Sequence, residues 1–291
     1  MYLGKDTFRL QPIWEGLFEV YQAIAAICDN HGLKYYVTDG VALGAVRHKG
    51  FIPWDDDFDM SMPREDYEKF LTIAEKELPD YYKIVTWRNT PEYNFLFAKV
   101  QDTRKEKVEE IEELTGHFLS NGIYVDILPI DKASSSKVRR ALSDKWFALR
   151  RVLMRFHCDQ FTRQTKKGKV CWLMGMALSP LFPWLWTHDQ ILASCEKSAT
   201  AYRNSMSDLT CRKCSNVSYR RQPLHMELWD EGSHLPFGES NIMVPTDVEG
   251  YLRNEYGDYM KLPPEEKRKP SHQYAWRCPW WLGPTKQSEQ K

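Results

Sequence analysis

Four aspartates, Asp55, Asp56, Asp57 and Asp59, fall within five positions of the run His48-Lys-Gly-Phe-Ile-Pro-Trp-Asp-Asp-Asp-Phe-Asp-Met60. Like charge at that density destabilises a chain unless a cation neutralises it. In an extended strand alternate side chains share a face, so Asp57 and Asp59 can converge on one metal ion while Phe58 and Met60 turn toward a core. A solvated acidic turn is the plainer alternative. The interleaving with Trp54, Phe58 and Met60, and the glycine-punctuated run before it, favour a Mg²⁺ site for phosphoryl chemistry. Another acid, Asp126, stands alone inside the apolar run Asn121-Gly-Ile-Tyr-Val-Asp-Ile-Leu-Pro129. A carboxylate there is costly unless it is paired or ligating, which makes Asp126 the natural third metal carboxylate.

The elements that must position these acids can be read from periodicity. Between Pro12 and His31 the residues Ile13, Leu17, Val20, Tyr21, Ile24, Ile27 and Cys28 recur at helical spacing, and Gly32 follows as a stop. Tyr35 to Val37 reads as a short buried strand entering Thr38-Asp-Gly-Val-Ala-Leu-Gly44, where Gly40 and Gly44 suit a strand-to-helix turn with close backbone approach. Phe58 to Met62 is expected as a strand, and Pro63 starts a helix over Arg64 to Glu77 with Tyr67, Phe70, Leu71 and Ala74 facing inward. Further strands are expected over Ile84 to Trp87, Phe95 to Val100 and Asn121 to Pro129. A hairpin is expected over Leu235 to Pro245, and a helix over Asp247 to Tyr256.

The chain of 291 residues is long enough to bury a substantial core, and its 42% hydrophobic content is that of a globular protein. Lys plus Arg equals Asp plus Glu at 40 each, so no global field draws it to nucleic acid. No apolar run follows a basic segment at its start, so the cytoplasm is the expected compartment. The seven cysteines are odd in number and scattered, which argues against a disulfide framework.

From Ser134 to Arg163 the sequence is basic and helical. The segment Val170 to Trp186 is apolar for nearly the length of a spanning helix but is broken by Pro180 and Pro183. A buried helical hairpin is therefore expected, with a tryptophan-rich patch in peripheral contact with a membrane as the functional alternative. Cys211-Arg-Lys-Cys214 has the spacing of half a zinc site, which Cys195, His225 or Cys158 could complete; ordinary free thiols are the favoured reading. The expected organisation is a catalytic core over 1–133, a helical, basic and Trp-rich insertion over 134–230, a C-terminal part of the core domain over 231–278 and a loose tail over 279–291.

Leu43-Gly-Ala-Val-Arg-His-Lys-Gly-Phe-Ile-Pro-Trp-Asp-Asp-Asp-Phe-Asp59 closely resembles the signature of the LicD family. The resemblance continues through Phe97-Ala-Lys-Val100, Val125-Asp-Ile-Leu-Pro-Ile-Asp131, Val244-Pro-Thr-Asp-Val-Glu-Gly-Tyr-Leu252 and Tyr256-Gly-Asp-Tyr-Met260. It spans roughly Trp14 to His272 and is weakest in the middle third. One departure is Asp39-Gly40-Val41, where the family commonly shows Gly-Gly-Thr, which removes a hydroxyl near the phosphates. The resemblance implies an α/β (α+β) fold of the nucleotidyltransferase type, related to the fukutin group: a mixed β-sheet flanked by helices, here with a helical insertion. It further implies that Asp57 and Asp59 are the paired metal ligands, that Asp126 is the third acid, that the Gly40 and Gly44 turn borders the nucleotide, and that His272 lies near the active site.

Members of that family move phosphocholine or ribitol phosphate from a CDP-linked donor to a glycan hydroxyl. The implied partners are such a donor and a glycan or lipid-linked glycan acceptor, of the lipopolysaccharide or teichoic acid kind, and not nucleic acid. The implied cofactor is Mg²⁺, as one ion or two, with Mn²⁺ as a substitute. Arg47 and Lys99 are the cations suited to phosphate oxygens, with an ion pair to the same aspartates as the alternative for each. Asp126 or Asp55 is the first choice to deprotonate the acceptor and His48 the second. Trp54 is a candidate platform for base or sugar, as is Tyr124, although either could simply pack in the core. A nucleotidyltransferase that releases pyrophosphate, and a non-catalytic glycan- or metal-binding module of the same fold, are the alternatives.

Overall fold

The structure, a computed structural model, describes residues 8–91, 93–105, 108–109, 122–157, 187–213, 223–270 and 274–275. It divides into two compact units, one built from residues 1–85, 97–130 and 224–291, the other from 86–96 and 131–223.

In the first unit helix α1 (Gln11–His31) starts with Pro at its first turn and ends on Gly32 in the left-handed conformation, as its periodicity predicts. The strands β1 (Tyr36–Val37), β2 (Asp59–Pro63), β3 (Tyr82–Val85), β4 (Ala98–Asp102) and β6 (Ile123–Lys132) are ordered β1-β2-β6-β4-β3, while β5 (Val108–Glu109) pairs separately with Tyr274–Ala275. The β2 and β6 strands run parallel, and the other pairs on this path are antiparallel. The mixed sheet expected from the sequence is thus present. A parallel pair requires a long crossover, and helix α3 (Arg64–Glu77), β3 and β4 supply it. Helices α1 and α3 pack against one another through buried apolar residues such as Ile24, Tyr67, Phe70 and Ala74 on their inner faces.

Several strand boundaries shift from the expected ones, by one residue at β2 and by two or three at β3, β4 and β6. Pairing partners, and not side-chain alternation, decide where a strand ends. Gly40 lies in the first turn of helix α2 (Asp39–His48), directly after β1, and Gly44 lies one turn further on. Their small size serves packing: a Cβ on Gly40 would collide with the Asp55 carboxylate, and one on Gly44 with the Gly50 carbonyl oxygen. The short strand β8 (Leu224–His225), the hairpin of β9 (Ser233–Phe237) and β10 (Ser240–Val244) and helix α6 (Val248–Tyr256) complete the described part of this unit.

An aromatic cluster underlies the acidic run. Trp14 stacks on Phe51 at 5.4 Å, Phe51 meets Phe58 at 5.9 Å and Phe237 at 4.9 Å, and Tyr21 stacks on Phe58 at 5.0 Å. Phe51 and Phe58 are buried, so the two ends of the run are pinned apolar and the aspartates between them are forced into one short arc. The Trp14 indole N–H donates to the Asp55 carbonyl at 2.7 Å and fixes its backbone.

In the second unit helix α4 (Lys137–His157) packs along helix α5 (His188–Ala199), which opens on a capping box of Thr187 and Gln190. The final residues of β6, Asp131 and Lys132, pair there with β7 (Leu209–Cys211). Of the helix expected over Ser134 to Arg163, the described residues show Lys137–His157, so its start lies three residues later. The segment Val170 to Trp186, the tail after Pro279, and His272, Cys158 and Cys214 lie outside the described residues. Among the described residues no helix is long and apolar enough to cross a membrane.

Candidate active site

The parallel register of β2 on β6 places Asp59 directly beside Asp126, and the antiparallel register of β4 on β6 places Lys99 on the other side of Asp126. In-register neighbours project to one face of a sheet. The sheet therefore displays Asp59, Asp126 and Lys99 in a row, and the backbone N–H of Asp126 donates to the Phe58 carbonyl at 2.9 Å, tying β6 to the end of the acidic run.

Within that row Asp126 is neutralised. Lys99 Nζ lies 2.8 Å from its Oδ1, both side chains largely buried, and the ammonium also sits 3.3 Å from the centre of the Tyr124 ring. The ion-pair alternative for Lys99 is thus the one this structure adopts. Tyr124 is buried and its face is occupied by that ammonium.

Asp55 is not balanced in this way. The Asp55 carboxyl rests on the Cα of Gly40; its Oδ2 is closed off from solvent and has no hydrogen-bond partner. Burial first, then the charge of Asp57, then those of Asp56 and Asp39, hold its pKa well above the usual carboxylate range. Asp56 is fully buried. An enclosed carboxylate oxygen with no donor, amid further carboxylates, is the environment a divalent cation would relieve, and the all-oxygen donor set suits Mg²⁺ or Mn²⁺. Among the described residues no three His, Cys, Asp or Glu side chains are gathered tightly enough to form a finished cage.

Three residues that the sequence did not mark join this cluster. Asp39 takes a positive φ of 51°, and the Tyr251 hydroxyl bridges it, accepting from its backbone N–H at 3.1 Å and donating to its Oδ1 at 3.3 Å. Tyr256 carries a hydroxyl whose pKa is held well above that of an ordinary tyrosine, first by burial and then by Asp39, with Tyr251, Asp55 and Asp59 adding smaller effects. The Tyr256 ring remains 41% exposed while its hydroxyl end is enclosed, so it stands at the rim with its polar tip among the acids. Helix α6 is thereby part of the site.

Arg47 and His48 close the other end. Arg47 donates to the Tyr259 carbonyl at 2.8 Å and contacts His48 Nδ1 at 3.4 Å, while Asp55 and Tyr256 act on it electrostatically. His48 meets the half-buried Trp54 edge-on at 6.2 Å. Burial and the neighbouring Arg47 charge lower the His48 pKa to about 4, which makes it a weak base. Cys195 is buried and Cys211 half-buried, and burial raises the Cys211 thiol pKa to about 12.

The fold and these carboxylates define a nucleotidyltransferase-type domain. Residues 32–158 match the family model described as LicD/FKTN/FKRP, nucleotidyltransferase domain. It is 28% identical over 250 residues to the lipopolysaccharide cholinephosphotransferase LicD of Haemophilus influenzae, covering 85% of this chain and 89% of that protein. Shorter stretches resemble two uncharacterized proteins, RT0683 of Rickettsia typhi and RP689 of Rickettsia prowazekii. The identities are 37% over 57 residues and 38% over 50, covering 20% and 17% of this chain and 18% and 19% of those proteins. The backbone at Asp39 also accounts for the glycine that the family commonly carries there: at a positive φ glycine is unstrained, and Asp is among the few residues that tolerate it.

Proposed function

We propose that the protein transfers phosphocholine from a CDP-linked donor to a hydroxyl of a lipopolysaccharide-type glycan, releasing CMP. The observation that carries the reading is the cluster of Asp39, Asp55, Asp57 and Asp59, with its enclosed Asp55 oxygen, in a chain similar over most of its length to a cholinephosphotransferase. In this reaction the acceptor oxygen forms a bond to the phosphorus of phosphocholine. The bond from that phosphorus to the bridging oxygen breaks, and the hydroxyl proton passes to a protein carboxylate.

Asp57 and Asp59 would hold a divalent cation, with Asp55 on one side and Asp126 on the other. Such an ion supplies neutralisation of the charge that grows on the departing phosphate oxygen. Asp55 is the side chain we assign to proton acceptance, because burial and like charge make it more basic than a free carboxylate. Asp126 pairs with Lys99 and would serve to orient that lysine beside the phosphates. Arg47 lies at the edge of the cluster, where it can meet the donor pyrophosphate once Tyr259 releases one of its N–H groups.

The test is incubation of the full-length protein with Mg²⁺, lipopolysaccharide and a panel of CDP-linked alcohols, followed by chromatography of the nucleotide. CMP release with CDP-choline is the expected result. Pyrophosphate release would instead identify a nucleotidyltransferase, and metal binding without either product would identify a binding module.

A further inference from the structure

Among the described residues, helix α4 carries an apolar stripe that stands exposed. Val138 is 69% exposed, Leu142 and Trp146 are each 56% exposed and Leu149 is 49% exposed. At roughly 100° per residue these four fall within about 80° of the helix circumference. The opposite face is spoken for: Phe147 is buried, Ser143 lies 3.5 Å from Ser198, and Arg150 donates to the Ser194 carbonyl, so the stripe is not the surface that holds α4 to α5.

Cations flank the stripe on both sides. The exposed Lys145 borders one edge and the exposed Arg139 the other, with the Arg150 guanidinium 5.8 Å from the Trp146 ring. Over Lys137–His157 seven Lys and Arg stand against one acid, and that acid, Asp144, points away from the stripe to Lys213 at 3.4 Å. A convex, tryptophan-bearing apolar band with a long basic side chain at each edge matches an anionic lipid surface, in which the band enters the acyl boundary and the cations reach the phosphates. A protein groove would need no such two-sided basic border.

We infer that α4 docks the protein on an anionic membrane through Val138, Leu142, Trp146 and Leu149, with Arg139 and Lys145 contacting lipid phosphates. The inference is independent of the reaction proposed above.

Flotation of the full-length protein with vesicles tests it, one set of phosphatidylcholine and one of equal parts phosphatidylcholine and phosphatidylglycerol. Binding is expected to be about tenfold or more stronger to the mixed vesicles and to fall with added salt. Trp146→Glu or Leu142→Glu should weaken it about tenfold, and Arg139→Glu with Lys145→Glu should erase the preference for the anionic lipid. Unchanged circular dichroism is expected for all of them, since the substituted side chains face solvent. If Trp146→Glu fails to fold, the charge-reversal pair and the salt dependence of the unsubstituted protein carry the test. Absence of binding to either vesicle, or equal binding by the unsubstituted protein and the variants, would overturn the inference. So would a dimer in solution that Leu142→Glu converts to monomer without any vesicle binding, since the stripe would then be covered by a second copy.

Discussion

Asp126 and Asp55 are carboxylates of one unit in opposite electrostatic states. Asp126 has a lysine at 2.8 Å, whereas Asp55 has an enclosed oxygen without a donor and three aspartates acting on it. A folded chain has balanced its charge at one and left it unbalanced at the other. Unbalanced burial of charge persists where function needs it, since packing alone would select against it. In the proposed mechanism the Asp55 to Asp59 arc with Asp39 is accordingly the part that takes the ligand, and the Lys99 and Asp126 pair borders it.

The largest expected effect separates the two sides by activity. Asp57→Ala or Asp59→Ala should lower phosphocholine transfer by about a thousandfold or more, because several kcal/mol of charge stabilisation would be lost. Thermal melting in chelator should show these variants as stable as the unsubstituted protein or more so. Loss of folding would count against a catalytic role for either residue.

Lys99→Ala acts on the balanced side and should have the reverse profile. It strands a largely buried Asp126 carboxylate, so stability should fall by about 3 kcal/mol in urea denaturation. Adding Asp126→Asn should restore most of that loss, and a double variant no better than the single would contradict the pairing.

Asp55→Asn should stabilise the metal-free protein by about 1 to 3 kcal/mol, because an amide can donate to Asp57 where two carboxylates repel. The pH dependence sharpens this. The folded pKa of Asp55 is raised, so between the unfolded value and that raised value the folded state holds more protons, and its penalty appears as pH rises. His48 is lowered from 6.5 to about 4, so between those values the unfolded state holds more protons and stability is lost as pH falls. Stability curves should accordingly diverge in opposite senses: Asp55→Asn gains most at neutral pH, and His48→Gln flattens the acid limb between about pH 6.5 and 4. The smallest effect is expected for Tyr251→Phe, which removes hydrogen bonds to Asp39 and should cost about 1 kcal/mol in the same melts.

Much of the framework could be read from local pattern. Helix α3 occupies Arg64–Glu77 as expected, because Pro63 marks its start and the Tyr67, Phe70 and Ala74 spacing marks its inner face. Asp126 was visible as a lone acid in an apolar strand, and whether it would be paired or free to ligate was not, since the answer depends on the strand carrying Lys99 lying beside it. The parts that could not be read are the long-range ones. Tyr251 reaches Asp39 from 212 positions away, and such a contact leaves no periodic trace in either segment. Gly40 was legible as a close-approach residue, but its partner, the Asp55 side chain, was not. Asp39 had one available signal, its place where the related family commonly carries glycine, which points to a positive φ.

The central claim is that the Asp55 to Asp59 arc holds a divalent cation needed for the donor. Thermal melting of the unsubstituted protein and of Asp59→Asn, each in chelator, in Mn²⁺, and in Mn²⁺ with CDP-choline, addresses it without reference to turnover. The account predicts a rise in melting temperature with Mn²⁺ that grows when CDP-choline is added and disappears in Asp59→Asn. An equal rise in both proteins, or none in the unsubstituted one, would contradict it.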